Sequence, residues 1–378
     1  MKSGLNDGFF EFLNCFSEEI CRRFDQGGIF FASNVVKSIK KIERIEMKIL
    51  CFYELDWELD YLKKQLADFQ IHFVKGTTQN SPTIDKDADI LCLFVDSPVD
   101  KHLMESLSSL KLIATRSTGF NHIDRSAAQQ LNVKICGVPA YGKNAVAEYA
   151  FGLMIMVMRK LYEAYSRIRD NNFSRVDLCG TDLSGKTLGV VGTGDIGSNV
   201  VKIGAAFGMN VCAFDLKPNQ ELVDKTGCVY VSLEELLRQS DVITLHVPYN
   251  TGTHHLINKK NIMTCKKGSY LINTARGAIV ETAAIVKGLK EGVLAGAGLD
   301  VLEEEGEMDH EVSLLLEEHP QAIQLQTLLS NHYLIEHPQV IVTAHNAFNS
   351  YEARKRILDC TIDNIKAFVA GKLKNIIS

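Results

Sequence analysis

The chain has no apolar run long enough to cross a membrane. Its longest uninterrupted one, FGLMIMVM at Phe151–Met158, falls far short of the ~20 residues that a spanning helix needs. It also lacks an excess of one charge. Lys plus Arg number 41 against 46 Asp plus Glu, a net charge of −5, which argues against nucleic acid or an anionic membrane surface as the main partner. CxxC pairs are missing as well. The ten cysteines are scattered, and several sit inside apolar runs, such as Cys92 in ILCLFV and Cys212 in VCAFD. Cysteine used as a small buried hydrophobe belongs in a reducing compartment, so the expected location is the cytoplasm. Repeats of solenoid period and collagen-like or low-complexity tracts are absent too. What is there is a 378-residue chain, 46% hydrophobic, long enough to build two ordinary cores.

Residues 1–46 stand apart from the rest. FFEFLNCF and GGIFFASNVV are apolar without strand–helix rhythm, and Glu11, Glu18 and Glu19 argue against a targeting presequence. They are read as a leader of unknown role. From Met47 onward, short β-branched runs alternate with helical stretches. KILCFYEL, IHFVKG, ADILCLFV, LKLIATR and VKICGVP are expected strands, and DWELDYLKKQLADF and DKHLMESLSSL expected helices. This alternation predicts a parallel sheet. One long helix is expected from about Asn144 to Asn171. Its apolar residues cover so much of the circumference that it should be buried between domains or subunits. A second βα series runs from GKTLGVVGTGDIG to about Val342, and Ser350–Leu373 reads as a final helix. The expected domains are therefore 47–145 with 343–378, enclosing 146–342.

GVVGTGDIG supplies Gly192, Gly194 and Gly197 in G-x-G-x-x-G spacing between an expected strand and an expected helix. Such glycines allow a tight turn, backbone approach to a pyrophosphate and close helix–strand packing, and the helix N-terminus attracts the phosphates. The next strand, NVCAFD, ends in Asp215, at the spacing of about 20 residues where a carboxylate accepts from the adenine ribose diol. A carboxylate there repels a 2′-phosphate, which favours NAD over NADP; Lys202 and Lys217 soften that only slightly.

Three further strand ends carry reactive side chains: Arg276 in INTARGAIV, Asp300 with a run of glutamates in AGLDVLEEE, and His345 in VIVTAHNAF. Singly, each has an ordinary explanation: a surface ion pair, a solvated acidic face, a satisfied core histidine. Together, downstream of a dinucleotide turn, they suit reduction of a 2-keto acid. A guanidinium grips the substrate carboxylate in a fork, and a histidine supplies the proton that accompanies the hydride. A carboxylate on its other ring nitrogen holds the tautomer and favours the imidazolium.

With these motifs, and with TRSTGFNHID, VPAYGKNAVAEYAFGLM and HVPYNTGTHHLIN, the sequence resembles the D-isomer-specific 2-hydroxyacid dehydrogenases, most closely their D-lactate dehydrogenase branch. The resemblance runs from residue 47 to about 375. It implies an α/β architecture of two flavodoxin- or Rossmann-like doubly wound domains, the nucleotide domain inserted in the substrate domain. It makes Arg276 the substrate anchor and His345 the acid/base, and the family's D-x-x-x-x-E counts from Asp300 to Glu305 as the partner carboxylate. It also puts the backbone amides of Thr118 and Gly119 on the substrate carboxylate and Tyr141 on the pocket wall. On the cofactor side it implies Asp195 and Ile196 at the phosphates, Asp215 at the ribose, and Val247, Pro248 and Thr253 along the dinucleotide. Thr274, Ala275, Arg276 and Asp300 would lie near the nicotinamide.

The implied activity is NAD-dependent interconversion of pyruvate and D-lactate, in a homodimer formed through the nucleotide domain, with Ala145–Leu161 in part at the interface. The rivals are a bulkier 2-keto acid such as an aromatic pyruvate, which Phe94 and Phe348 would also fit, and an NAD-sensing corepressor of the same fold. A glutamate partnering the histidine disfavours formate oxidation. The chain's ending soon after its last helix disfavours a regulated phosphoglycerate dehydrogenase. No metal is expected: the single adjacent histidine pair, His254–His255, has no cysteine or second motif beside it. Two departures from the family pattern stand out. Ala344 replaces the usual proline before His345, which should loosen that loop. The long Glu305–His345 segment contains LLLEEHPQAIQLQTLL, which reads as an extra helix. Glu303 and Glu304 are expected on a solvated face.

Overall fold

The computed structural model describes residues 47–80, 86–305 and 322–377. The leader lies outside these, as does 306–321, which holds the first half of the expected extra helix. The chain forms two compact units: residues up to Pro139 together with those from Lys355 onward, and Ala140–Arg354.

The first unit holds β1 (Lys48–Tyr53), α1 (Asp56–Gln65), β2 (Gln70–Lys75), β3 (Ile90–Leu93), α2 (Lys101–Ser106), β4 (Leu112–Thr115), α3 (Arg125–Gln130) and β5 (Lys134–Cys136). Its five strands are all parallel, in the order β2-β1-β3-β4-β5. Every residue of β3 and β4 is buried, as their unbroken apolar sequences ILCL and LIAT require of strands covered on both faces. One face packs Leu50, Phe52, Leu91 and Ile113; the other packs Ile49, Cys51, Cys92 and Leu112. Leu358, Ile362 and Ile365 of the last helix join that second face.

The second unit opens with α4 (Lys143–Met158) and α5 (Leu161–Arg169). It continues through β6 (Thr187–Val191), α6 (Asp195–Ala206), β7 (Asn210–Phe214), α7 (Gln220–Thr226), β8 (Val229–Tyr230), α8 (Leu233–Gln239), β9 (Val242–Leu245), β10 (Ser269–Asn273), α9 (Thr282–Lys290), β11 (Leu294–Leu299), α10 (Ala322–Glu336) and β12 (Val340–Val342). The last helix, α11 (Tyr351–Val369), begins here. Seven parallel strands run β12-β11-β10-β9-β6-β7-β8, so the strand order reverses between β6 and β9. Open α/β sheets bind ligands at the carboxyl ends of the strands beside such a switch point. In the first unit the switch lies between β1 and β3.

The single helix expected from 144 to 171 is two. Lys160 adopts a left-handed conformation (φ +50°) and divides α4 from α5. α4 needs no second subunit to cover most of its apolar circumference. Ala147, Ala150, Phe151, Leu153, Met154 and Met158 are buried in the unit's own core against Leu188, Val190 and Ile272 of the sheet. At roughly 1.5–3 kcal/mol for each large side chain, this is among the main attachments of the helix. α5 buries no residue and exposes Leu161, Tyr162, Tyr165 and Ile168.

Candidate active site

At the switch point of the second unit, β6 runs into Gly192-Thr193-Gly194 and then α6. Gly192 has φ +91°, and a Cβ there would sit 2.8 Å from Val247 Cγ1 and 2.9 Å from the His246 carbonyl. A Cβ on Gly197 would lie 1.8 Å from the Gly192 oxygen, so only glycine lets helix and turn close on each other. Gly194 is the contrast: nothing lies within 4 Å of its would-be Cβ, and as N-cap it offers no side chain to the first turn. The N–H groups of the first turn of α6 have no intrahelical partners, as at any helix N-terminus, and so suit an anion.

Asp215 follows β7. Its Oδ2 accepts from Thr193 N (2.7 Å) and Thr193 Oγ1 (3.1 Å), and its Oδ1 accepts from Lys217 N (2.8 Å). Burial alone would raise this carboxyl, but the donors from Lys217 and Thr193 outweigh it and hold it below the ordinary range. Beyond β9, Val247 packs against Gly192, and Thr253 closes the 248–253 turn by donating to Pro248 O (2.6 Å) and accepting from Asn250 N (2.8 Å). His246, at the head of this loop, bonds Thr244 Oγ1 through Nε2 at 2.8 Å, and burial pushes its ring down to about 3.

Arg276 follows β10 in a turn stapled by Asn273, which accepts from Ala275 N (3.1 Å) and donates to Arg276 O (2.9 Å). The exposed guanidinium spends Nη1 on Ala275 O (2.7 Å); its Nη2 and Nε bond nothing among the described residues. Gly277 brings this turn against the backbone of Leu302 and Glu303, where a Cβ would overlap at 2.0 Å.

Asp300, fully buried after β11, builds the histidine loop. It accepts from Thr343 Oγ1 (2.6 Å), Asn346 N (2.8 Å) and Ala347 N (2.8 Å), and its carbonyl accepts from His345 N (2.8 Å). Burial pushes its carboxyl up, against these donors. The loosening expected from Ala344 is therefore opposed by a carboxylate anchored on three sides. His345 sits at φ +48° with Nδ1 2.8 Å from Glu305 Oε1, while Glu305 Oε2 accepts from Leu302 N (3.2 Å). Both side chains are about two-fifths exposed, and His345 Nε2 has no partner among the described residues.

Glu303 corrects the expectation of a solvated acidic run. Its side chain is 12% exposed; Oε1 meets His255 Nε2 at 2.5 Å, and Oε2 accepts from Thr282 N and Oγ1 at 3.0 and 2.9 Å. Glu303, His255, Thr282, Asn273 and Thr343 were not foreseen, because their bonds join segments far apart in sequence. Only the Asn273–Arg276 spacing, side chain to turn, carries a local signal.

Tyr141 is half-buried, and Phe348 packs edge-on to it with ring centroids 6.1 Å apart. Burial raises the Tyr141 phenol, opposed by the Arg276 guanidinium. In the first unit, β4 is followed by Arg116-Ser117-Thr118-Gly119. Arg116 is buried with Glu58 (3.3 Å), donates to Phe52 O (2.8 Å) and lies 5.7 Å from the Phe94 ring, so Phe94 has a core partner. The Thr118 and Gly119 N–H groups donate to nothing among the described residues.

Two doubly wound units, one with a dinucleotide turn at its switch point, define a nucleotide-dependent α/β enzyme. The chain belongs to the D-isomer-specific 2-hydroxyacid dehydrogenases: the model of that family's NAD-binding domain matches residues 151–347. It is 40% identical over 323 residues to a 2-hydroxyacid dehydrogenase homolog of Zymomonas mobilis, covering 85% of this chain and 94% of that one. It is 33% identical over 334 residues to the D-lactate dehydrogenase of Escherichia coli, covering 86% and 98%. The solved D-lactate dehydrogenase of Aquifex aeolicus, complexed with NAD and lactic acid, superposes with a TM-score of 0.71 at 35% identity, covering 85% and 96%. The protein is accordingly an NAD-dependent oxidoreductase. Its residues fit the cofactor: the space at Gly194 is open, Asp215 is charged and held, and the buried Thr274 Oγ1 has no partner where the nicotinamide end is expected.

Proposed function

We propose that the protein is a D-lactate dehydrogenase, reducing pyruvate to D-lactate with NADH. The observation that carries the reading is the 2.8 Å contact of Glu305 Oε1 with His345 Nδ1, which leaves His345 Nε2 turned to other use, in the same unit as the unspent fork of Arg276. The Escherichia coli and Aquifex aeolicus relatives, both D-lactate dehydrogenases, support lactate.

NADH, once bound, would provide a hydride for the substrate C2. Arg276 holds the keto acid's carboxylate through Nη2 and Nε and polarises its carbonyl. In the first unit, the open N–H groups of Thr118 and Gly119 are donors suited to a carboxylate; in the second, Tyr141 lines the pocket. His345, fixed by Glu305 in the tautomer that carries Nδ1–H, gives the Nε2 proton to the carbonyl oxygen in reduction and takes it back in oxidation. Gly192, Gly194, Asp195, Ile196 and Gly197 would hold the pyrophosphate and Asp215 the ribose; Val247, Pro248, Thr253, Thr274, Ala275 and Asp300 would hold the rest of the dinucleotide. Asp300 has a second duty in holding the His345 loop.

The protein acts in the cytoplasm as a homodimer. The surface proposed for pairing is α5 with the residues after it: Leu161, Tyr162, Tyr165, Ile168, Phe173 and Val176 are each between 47% and 76% exposed, an apolar display uncommon on a monomer. Initial rates with NADH across pyruvate, branched and aromatic 2-keto acids test the substrate. The highest kcat/KM should fall on pyruvate; a higher value on an aromatic pyruvate would replace it.

A further inference from the structure

Thr118 and Gly119 lie in a turn whose geometry is fixed by a chain of side chains. Ser117 Oγ is 2.5 Å from Gly119 O, and since a carbonyl only accepts, the Ser117 hydroxyl donates there. Ser117 Oγ is also 2.7 Å from Thr115 Oγ1. Its proton being spent, it must accept, so the single Thr115 proton goes to Ser117. Thr115 Oγ1 in turn stands 3.1 Å from His122 Nε2, and it too must accept. The direction of the whole chain is thereby set: His122 Nε2–H to Thr115, Thr115 to Ser117, Ser117 to the Gly119 carbonyl. Thr115 and Ser117 are 1% and 2% exposed, so water cannot replace either link. The backbone of His122 is itself pinned, its carbonyl accepting from Val99 N at 2.8 Å. Burial pushes the ring down to about 4, in keeping with a neutral imidazole that carries one proton.

From this we infer that His122 is a positioning residue: through Thr115 and Ser117 it pins the Gly119 carbonyl, and with it the 117–119 turn, so that the Thr118 and Gly119 N–H groups stay open to the substrate carboxylate. The inference rests on the proposed reading of those two amides as carboxylate donors. An apolar side chain at 122 would leave Thr115 without a donor and free it to turn, and the loop would lose its fixed orientation.

Two measurements on the full-length enzyme test it. In ¹⁵N spectra of histidine-labelled protein at neutral pH, with His122→Gln assigning the signal, the ring should carry its proton on Nε2 and stay neutral down to about pH 4. A proton on Nδ1 would overturn the chain. In steady-state assays His122→Leu should raise the pyruvate KM about fivefold, as the loss of one net hydrogen bond would, with the NADH KM unchanged. His122→Gln, whose amide can donate from nearly the same position, should restore it. Ser117→Ala should raise the KM likewise, and the double variant should add little, since both break one chain. An additive double variant would overturn the coupling. If Ser117→Ala raises the KM and His122→Leu does not, the proposal for His122 falls while the carboxylate-loop reading stands; if the ring is Nε2–H and neither variant moves the KM, the carboxylate-loop reading falls.

Discussion

Glu305→Gln keeps the shape of the residue that meets His345 and removes only its charge. The contact is 2.8 Å, and the side chains are 42% and 44% exposed. With charge centres about 4 Å apart, the attraction is about 1 kcal/mol in bulk water and about 4 at an effective dielectric near 20. Exposure of both groups places the pair toward the weak end, where surface ion pairs are measured at ~0.2–1 kcal/mol. Taking ~0.7 kcal/mol, deleting the charge costs the proton-transfer step a factor of about three. The reductive kcat/KM of Glu305→Gln should therefore lie about threefold below the parent, and the oxidative kcat/KM should fall likewise. Glu303→Gln is the control. It breaks the bonds to His255 and Thr282, so it should lower the unfolding free energy by about 1–2 kcal/mol while leaving both kcat/KM values in place. The assay is kcat/KM in both directions and a denaturant titration for each variant. If Glu303→Gln lowers kcat/KM and Glu305→Gln does not, the acid/base carboxylate is the wrong one; if neither does, the pair is not the proton device.

Asp215, held charged by Thr193 and Lys217, should give NADH a kcat/KM at least about tenfold above NADPH, corresponding to ~1.4 kcal/mol of like-charge repulsion; equal values would place it elsewhere. His122 and His246 have rings pushed down to about 4 and about 3 in the folded chain against an ordinary 6.5. The unfolded state then binds more protons, so stability should fall as pH drops below about 6.5, by up to ~1.4 kcal/mol per unit for each ring. The loss should stop near pH 4 for His122 and near pH 3 for His246. Urea midpoints followed by the single tryptophan, Trp57, report the first unit, and a slope undiminished in His122→Gln would contradict the assignment. Tyr165→Glu with Ile168→Glu should turn a light-scattering mass of twice 42.1 kDa into one of 42.1 kDa; a parent already monomeric would remove the dimer.

The sheets were legible because strands buried on both faces leave unbroken apolar runs such as ILCL and TLGVV. The phosphate turn was legible because its glycines obey a local steric rule, seen in the 1.8 Å overlap a Gly197 Cβ would make. The Glu305–His345 contact came from a count in a family pattern rather than from physics, and the structure brings those two atoms together. The break at Lys160 was not legible: helical periodicity continues across it, and only the left-handed backbone of that residue separates the helices. Glu303 was misread for a related reason. A run of three glutamates looks solvated until Thr282 and His255, distant in sequence, are folded against its first member. The role of Asp300 as the anchor of the His345 loop was hidden likewise, since its three donors all lie in the Thr343–Ala347 stretch.

The most direct test is to let the purified enzyme reduce pyruvate with NADH and to resolve the lactate by chirality, beside Arg276→Gln and His345→Gln. The account predicts D-lactate only. It predicts that Arg276→Gln chiefly raises the pyruvate KM, and that His345→Gln lowers kcat by about 10²–10⁴, the usual contribution of a positioned acid/base. L-lactate, or a His345→Gln variant that turns over at the parent rate, would contradict it.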